Sequence, residues 1–209
     1  MKAGFVDWIV FTGADGRTLS ARGVETRGRL LGAAELVFGE LGYYDASIVK
    51  ITEAAGVGQG TFYLYFASKQ EIFDELVRDL NRRIRKAMTA ASAKGTTRVE
   101  KELLGFDGYF EFTASHPELY SIIRQSAFVS PDIFLYHYER IWAGYVRGLR
   151  DAAAAGETGP IDAEVTAWAL MAIGEMVGMR WIVWGDGEVP ERVTAELARI
   201  VQRILEPPQ

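Results

Sequence analysis

A chain of 209 residues, 49% apolar and 12% aromatic, has ample material for one large or two modest cores, and its composition excludes a disordered or fibrous protein. It contains no cysteine, which excludes disulfides and thiolate metal sites and fits a reducing cytoplasm. The net charge of −5 is unevenly spread: residues 1–95 hold 13 Lys and Arg against 11 Asp and Glu, residues 96–209 hold 10 against 17. The slightly basic first half can therefore meet DNA, provided its cations face one way.

The chain opens with an apolar run, Phe5 to Phe11, broken by Asp7. It is too short to span a bilayer and lacks the basic leader and small-residue cleavage site of a secretory signal. A strand or an extra helix is possible there. Arg17 and Arg22 are candidates for a basic arm, although a partly ordered tail is the simpler reading. Val24, Leu30, Leu31, Ala34, Val37, Phe38 and Leu41 then recur at helical spacing, and Gly42 closes that helix. Ser47 sits where an N-cap belongs, ahead of a short helix ending at Gly56. A second short helix is predicted over Gln59–Tyr65. Ser68 and Glu71 form a capping box, with Glu71 reaching back to the N-cap amide. The long helix that follows carries Ile72, Phe73, Leu76, Val77, Leu80, Ile84 and Met88 on one face.

Helical patterns resume at Val99–Ser115, Glu118–Phe128 and Ser130–Ala155. A very apolar helix follows from Asp162 to Trp184, and a last one starts at Pro190 with Val193, Leu197, Ile200, Val201 and Ile204 in register. The expected fold is all-α, with about nine helices and no strands.

Two short helices joined by a glycine-containing turn make a helix-turn-helix, whose second helix enters the major groove. Here that helix begins Gly58-Gln59-Gly60-Thr61. Gln59 offers a two-pronged amide for a base edge, and Gly60 permits close backbone approach. Thr61, Tyr63 and Tyr65 offer hydroxyls for phosphates. Lys69 stands at a helix start, where free amides and the dipole already favour an anion. Phe62 and Phe66, four apart, read as core.

The string from Ile51 to Phe66, followed by Ser68-Lys69 and preceded by Phe38, Gly42 and Tyr43, resembles the signature of the TetR family of bacterial regulators. The resemblance covers about residues 24–80. It implies an N-terminal extension (1–21), a three-helix DNA-binding domain (22–70) and an effector-binding and dimerisation domain (71–209). It further implies that Gln59 and Gly60 read bases, and that Thr61, Tyr63, Tyr65, Lys69 and the N-cap Ser47 meet phosphates. Thr52 departs from the usual Ala, Gly58 from the usual Ser, and Val49 stands where a polar residue often reads a base.

The remainder is rich in aromatic residues. An apolar pocket is expected from Phe106, Phe110, Tyr120, Phe128, Tyr138, Trp142, Tyr145, Trp168 and Met171, with Glu175 to orient a ligand and Arg124 to clamp an anion. The resemblance implies a ligand-responsive repressor, bound as a homodimer to a palindromic operator and released by a small apolar, aromatic or acyl effector. The 162–205 helix pair would form the dimer seam. No cofactor, metal or membrane partner is expected. Two histidines, no cysteine, and no metal spacing, phosphate loop or serine elbow leave little for an enzyme. A ligand carrier without DNA binding is the remaining alternative.

Overall fold

The computed structural model describes residues 12–206, and the run Phe5–Phe11 lies outside them. Among the described residues there are nine α-helices and no strand: α1 (Ala21–Asp45), α2 (Ile48–Ala55), α3 (Gln59–Phe62), α4 (Lys69–Ser92), α5 (Arg98–Ser115), α6 (Leu119–Val129), α7 (Pro131–Ala154), α8 (Ala163–Gly178) and α9 (Glu191–Leu205). A π-helical turn, Met179–Val183, continues α8. The chain divides into two compact units, residues up to Leu76 and from Val77 onward.

In the first unit the helix ends are set locally. The Ser20 hydroxyl accepts the Gly23 amide and starts α1, and the Ser47 hydroxyl accepts the Lys50 amide and starts α2. Gly42, at φ 75°, breaks the helical path of α1, a conformation that favours glycine. Gly56, at φ 63°, ends α2 in the same left-handed region. The two carbonyl-rich ends are also closed by cations. Arg29 of α1 donates to the Ala55 carbonyl at 2.6 Å and the Gly56 carbonyl at 3.2 Å. Lys69 does the same for the end of α1, described below. Leu30, Phe38, Ile51, Phe62, Ile72 and Phe73 are fully buried. Arg27, itself buried, pairs with Glu75 at 2.7 Å and lies over the Phe66 ring, tying α1 to the first turns of α4.

Two expectations need correction here. The helix predicted over 59–65 is helical only to Phe62, because Leu64 and Tyr65 bond three residues back, to Thr61 and Phe62, and tighten into a turn. Ser68 accepts the Glu71 amide as foreseen, but the Glu71 carboxylate takes the Ala67 amide at 2.5 Å, one residue before the position expected.

The second unit packs α5 against α8 and α9, α7 against α6 and α8. Its core joins Phe106, Phe110, Ile141, Tyr145, Leu149, Leu170, Leu197 and Val201. Close approach rests on missing methyl groups. A Cβ at Gly108 would stand 2.8 Å from the Ala91 side chain, so α5 can lie tightly on α4.

Candidate nucleic-acid interface and ligand cavity

The helix-turn-helix side chains sort by exposure. Gln59 and Gly60 are exposed at the start of α3, and Tyr63 stands 52% exposed just after it. Thr61, Tyr65 and Ser47 are half-buried. Phe62 and Phe66 are buried and hold α3 from below. A Cβ built on Gly58 or Gly60 would touch nothing. Inside a helix, where Gly60 stands, glycine costs about 1 kcal/mol relative to alanine, so the fold itself does not call for Gly60. Gly58 is the N-cap of α3, where glycine is preferred to alanine. Thr52, the departure noted above, is buried, and its hydroxyl is satisfied by the Val49 carbonyl at 2.9 Å.

Lys69 is the main surprise. Its ammonium donates to the carbonyls of Tyr43 (2.7 Å) and Ala46 (2.8 Å), with Tyr44 at 3.4 Å, and lies 4.4 Å from the Tyr43 ring centre. The charge expected on a phosphate is thus engaged in closing α1. Residues 12–20 form a turn bridged at Thr12 and Thr18, and the Ala14 amide donates to the Leu64 carbonyl at 3.0 Å. Arg17 is exposed in this turn beside Asp15, and Arg22 is exposed on α1.

The second unit holds an aromatic cavity between α4, α5, α6, α7 and α8. Of the expected residues, Phe106, Tyr120, Tyr138, Tyr145, Met171 and Glu175 line it. Five do not. Phe110 is buried in the core, stacked on Phe106 at 6.1 Å. Trp142 is half-buried and donates to the Glu164 carbonyl at 3.3 Å. Phe128 is 86% exposed and Trp168 45% exposed. Arg124 is exposed as well, close enough to Tyr120 and Tyr138 for its charge to act on both phenols. The lining that the sequence reading missed includes Ile84, Met88, Tyr109, His137 and Gly174.

One end of the cavity is polar. The Tyr109 and Tyr120 hydroxyls are 2.5 Å apart, Tyr120 donates to the Glu175 carbonyl at 2.9 Å, and Tyr138 donates to the Glu175 carboxylate at 3.0 Å. Burial, with Glu175 nearby, pushes the Tyr120 and Tyr138 phenols well up, so both remain neutral donors. Glycines on α8 admit the rings: a Cβ at Gly174 would lie 2.7 Å from Phe106, and one at Gly178 2.7 Å from the Tyr120 hydroxyl. The free space is small, about 50 Å³ for the centres of water-sized spheres. That accommodates a few waters.

His137 is buried against this cavity. Asn81, fully buried on α4, donates to the His137 carbonyl at 2.9 Å. Burial first, and the Arg85 charge second, push the His137 imidazole down to about 4. Among the described residues no cluster of acidic or histidine side chains could hold a metal ion, and no helix is long and apolar enough to cross a membrane.

Residues 30–76 match the family model for bacterial regulatory proteins of the tetR family. The chain is 38% identical over 108 residues to the HTH-type transcriptional regulator YdgC of Bacillus subtilis, covering 50% of this chain and 55% of YdgC. The chain thus spans little more than half the length of that relative. It is 25% identical over 187 residues to the HTH-type transcriptional repressor KstR2 of Rhodococcus jostii, covering 84% of this chain and 88% of KstR2. The crystal structure of the transcriptional regulator FadR from Bacillus subtilis in complex with stearoyl-CoA shares the fold at TM-score 0.68 and 21% identity, over 84% of this chain and 95% of FadR. These relatives are regulators, not enzymes.

Proposed function

We propose that this chain, which belongs to the tetR family of bacterial regulatory proteins and is a DNA-binding transcriptional regulator, represses its targets as a homodimer on a palindromic operator and leaves DNA when a small apolar, aromatic or acyl effector enters the aromatic cavity. The observation that carries the reading is the start of α3. Gln59 and Gly60 are exposed there, on a helix held by buried Phe62 and Phe66, with open space where side chains at Gly58 and Gly60 would stand. A glycine that its own fold does not need is accounted for by a surface that must come close. Gln59 reads a base edge, Tyr63 and the half-buried Thr61, Tyr65 and Ser47 set the phosphate register, and Lys69 supports the frame.

Two-fold symmetry of the operator follows from a symmetric dimer. On α8, Val165, Trp168, Ala172 and Met176 fall at spacings of three and four and are all exposed, opposite the buried stripe Thr166, Ala167, Leu170 and Gly174. A helix apolar on both faces suits burial on both, and a second copy supplies the missing cover.

For the effector, support comes from the apolar walls with a polar end of phenols and Glu175, and from relatives whose names include a repressor and a regulator holding stearoyl-CoA. Because the free space holds only a few waters, an effector of that size selects a wider conformation. If that conformation fits DNA poorly, binding of the two ligands opposes reciprocally. Selection from random duplexes, followed by operator binding with acyl-coenzyme A esters and free fatty acids added, tests the whole reading. An enriched inverted repeat released by one of these classes supports it; no inverted repeat, or ligands that bind without moving operator affinity, would sink it.

A further inference from the structure

A second concavity lies on the other side of the aromatic cavity's wall, between α4, α5 and α7. Water-sized spheres sweep about 470 Å³ there, a volume in the range of small-molecule sites. Its charge is one-sided. Arg85 of α4, Lys101 of α5, and Arg140 and Arg147 of α7 line it, and none of the four is ion-paired among the described residues. Arg98 and Glu102 also line it, but they pair with each other, which leaves Asp151 as the one carboxylate facing four unmatched cations. Like charges are not gathered in a concave site without cost, and an anion is what offsets it.

The cleft is built as well as charged. Buried Asn81 accepts the Arg85 Nε–H at 2.9 Å, which fixes that guanidinium while leaving its terminal nitrogens to point elsewhere. Gly148 on α7 leaves the space in which the Arg98 guanidinium lies, and the Arg98 Nε is buried without a hydrogen-bond partner. Burial first, and the Arg140 charge second, hold Arg85 below the usual guanidinium range. Met88, Ile141 and Tyr145 line both this cleft and the aromatic cavity.

We propose that this cleft binds the phosphate end of an amphiphilic ligand carrying two or more phosphate charges, whose apolar end passes Met88, Ile141 and Tyr145 into the aromatic cavity. The proposal rests on the reading of that cavity as the effector's compartment, and it adds what the effector must carry. A neutral or singly charged apolar compound leaves the four cations unmatched. A duplex is too wide for a cleft of this volume. Guanidinium groups on phosphate make charge-assisted bonds that tolerate this kind of competition with water.

The test is calorimetry on the full-length chain at physiological salt with three probes: inorganic pyrophosphate, geranyl diphosphate and geraniol. The expected order has geranyl diphosphate at least tenfold tighter than either of the others. Arg140→Gln with Arg147→Gln, both exposed on α7 and harmless to packing, should weaken geranyl diphosphate by about tenfold per guanidinium. Arg150→Gln, on the same helix but paired with Glu164 outside the cleft, should change nothing. Geraniol binding as tightly as geranyl diphosphate would overturn the phosphate site while leaving the apolar cavity intact. Equal binding of pyrophosphate and geranyl diphosphate would overturn the joint site, as would affinities that ignore the double variant or no binding by any probe. Geranyl diphosphate that binds as expected but never moves operator affinity would uphold the cleft and sink the effector reading instead.

Discussion

The Lys69 ammonium donates to the Tyr43 carbonyl at 2.7 Å and sits 4.4 Å from the centre of the Tyr43 ring. One side chain thereby satisfies the open end of α1 and covers the Tyr43 face, which itself packs edge-on to Phe73 at 5.0 Å. Lys69→Met keeps the stem and removes the donors. It should lower the unfolding free energy by about 1–3 kcal/mol, the loss expected for charged hydrogen bonds to carbonyls left bare. Urea titration measures it. Salt dependence of DNA binding by the folded variant should match the parent, because the ammonium is already spent on backbone carbonyls; a flatter salt slope would return the charge to the DNA side.

Gly60→Ala separates stability from function. Since its Cβ meets nothing in the protein, the variant should be more stable by about 0.4–1 kcal/mol yet bind operator more weakly. Gln59→Ala should instead lose about 1–3 kcal/mol of discrimination at one base pair, with the salt slope preserved. Binding curves on a set of single-substituted operators read both effects. Unchanged operator affinity in Gly60→Ala would mean that nothing approaches α3 closely.

Val165→Glu places a charge on the exposed face of α8. In an isolated protomer the site is 65% exposed, so the protomer should still fold and its helix content should hardly change, while the thermal midpoint falls by whatever the dimer contributed. In a seam the same carboxylate would be buried without a partner. Sedimentation should therefore show a dimer for the parent and a monomer for the variant. A parent that is monomeric at micromolar concentration ends the dimer reading.

His137 gives a pH signature. Unfolded, the imidazole titrates near 6.5, and in the fold it is held down to about 4. Between these values the unfolded chain takes up a proton that the folded chain refuses, so stability is full above about pH 6.5 and falls as the pH drops toward 4. The loss attributable to this one group is about 3 kcal/mol. His137→Gln should remove that part of the slope, seen as the difference between variant and parent in urea midpoints at pH 7 and pH 4.5. Parallel slopes would show that the imidazole is not shielded.

Helix boundaries were legible in the sequence because caps and stops are local chemistry: Ser47, Asp162, Gly42 and Gly56 act where they stand, and Pro131 opens α7 although the Ser130 hydroxyl caps nothing. The end of α3 was not, since bonding three or four residues back leaves the same apolar pattern across Phe62 and Phe66. Pocket membership was half legible. On α6 the buried residues are Leu119, Tyr120, Ile122, Ile123 and Ser126. Arg124 and Phe128 follow Tyr120 at helical spacing yet stand on the margin of that stripe and are exposed, so neither aromatic density nor spacing alone placed them. Trp168 falls beside the buried Ala167 in the same way. The role of Lys69 was invisible because its acceptors, the Tyr43 and Ala46 carbonyls, lie more than twenty positions earlier and belong to the backbone, which has no letter in a sequence.

The turn at residues 12–20 bonds through the Ala14 amide to Leu64, just past α3. Ala14 itself is exposed, and the chain has no cysteine. Ala14→Cys therefore creates a unique thiol beside the candidate reading helix, on a segment held in place by backbone bonds. A dye attached there would report duplex arrival by its brightness or anisotropy, without a label on the DNA.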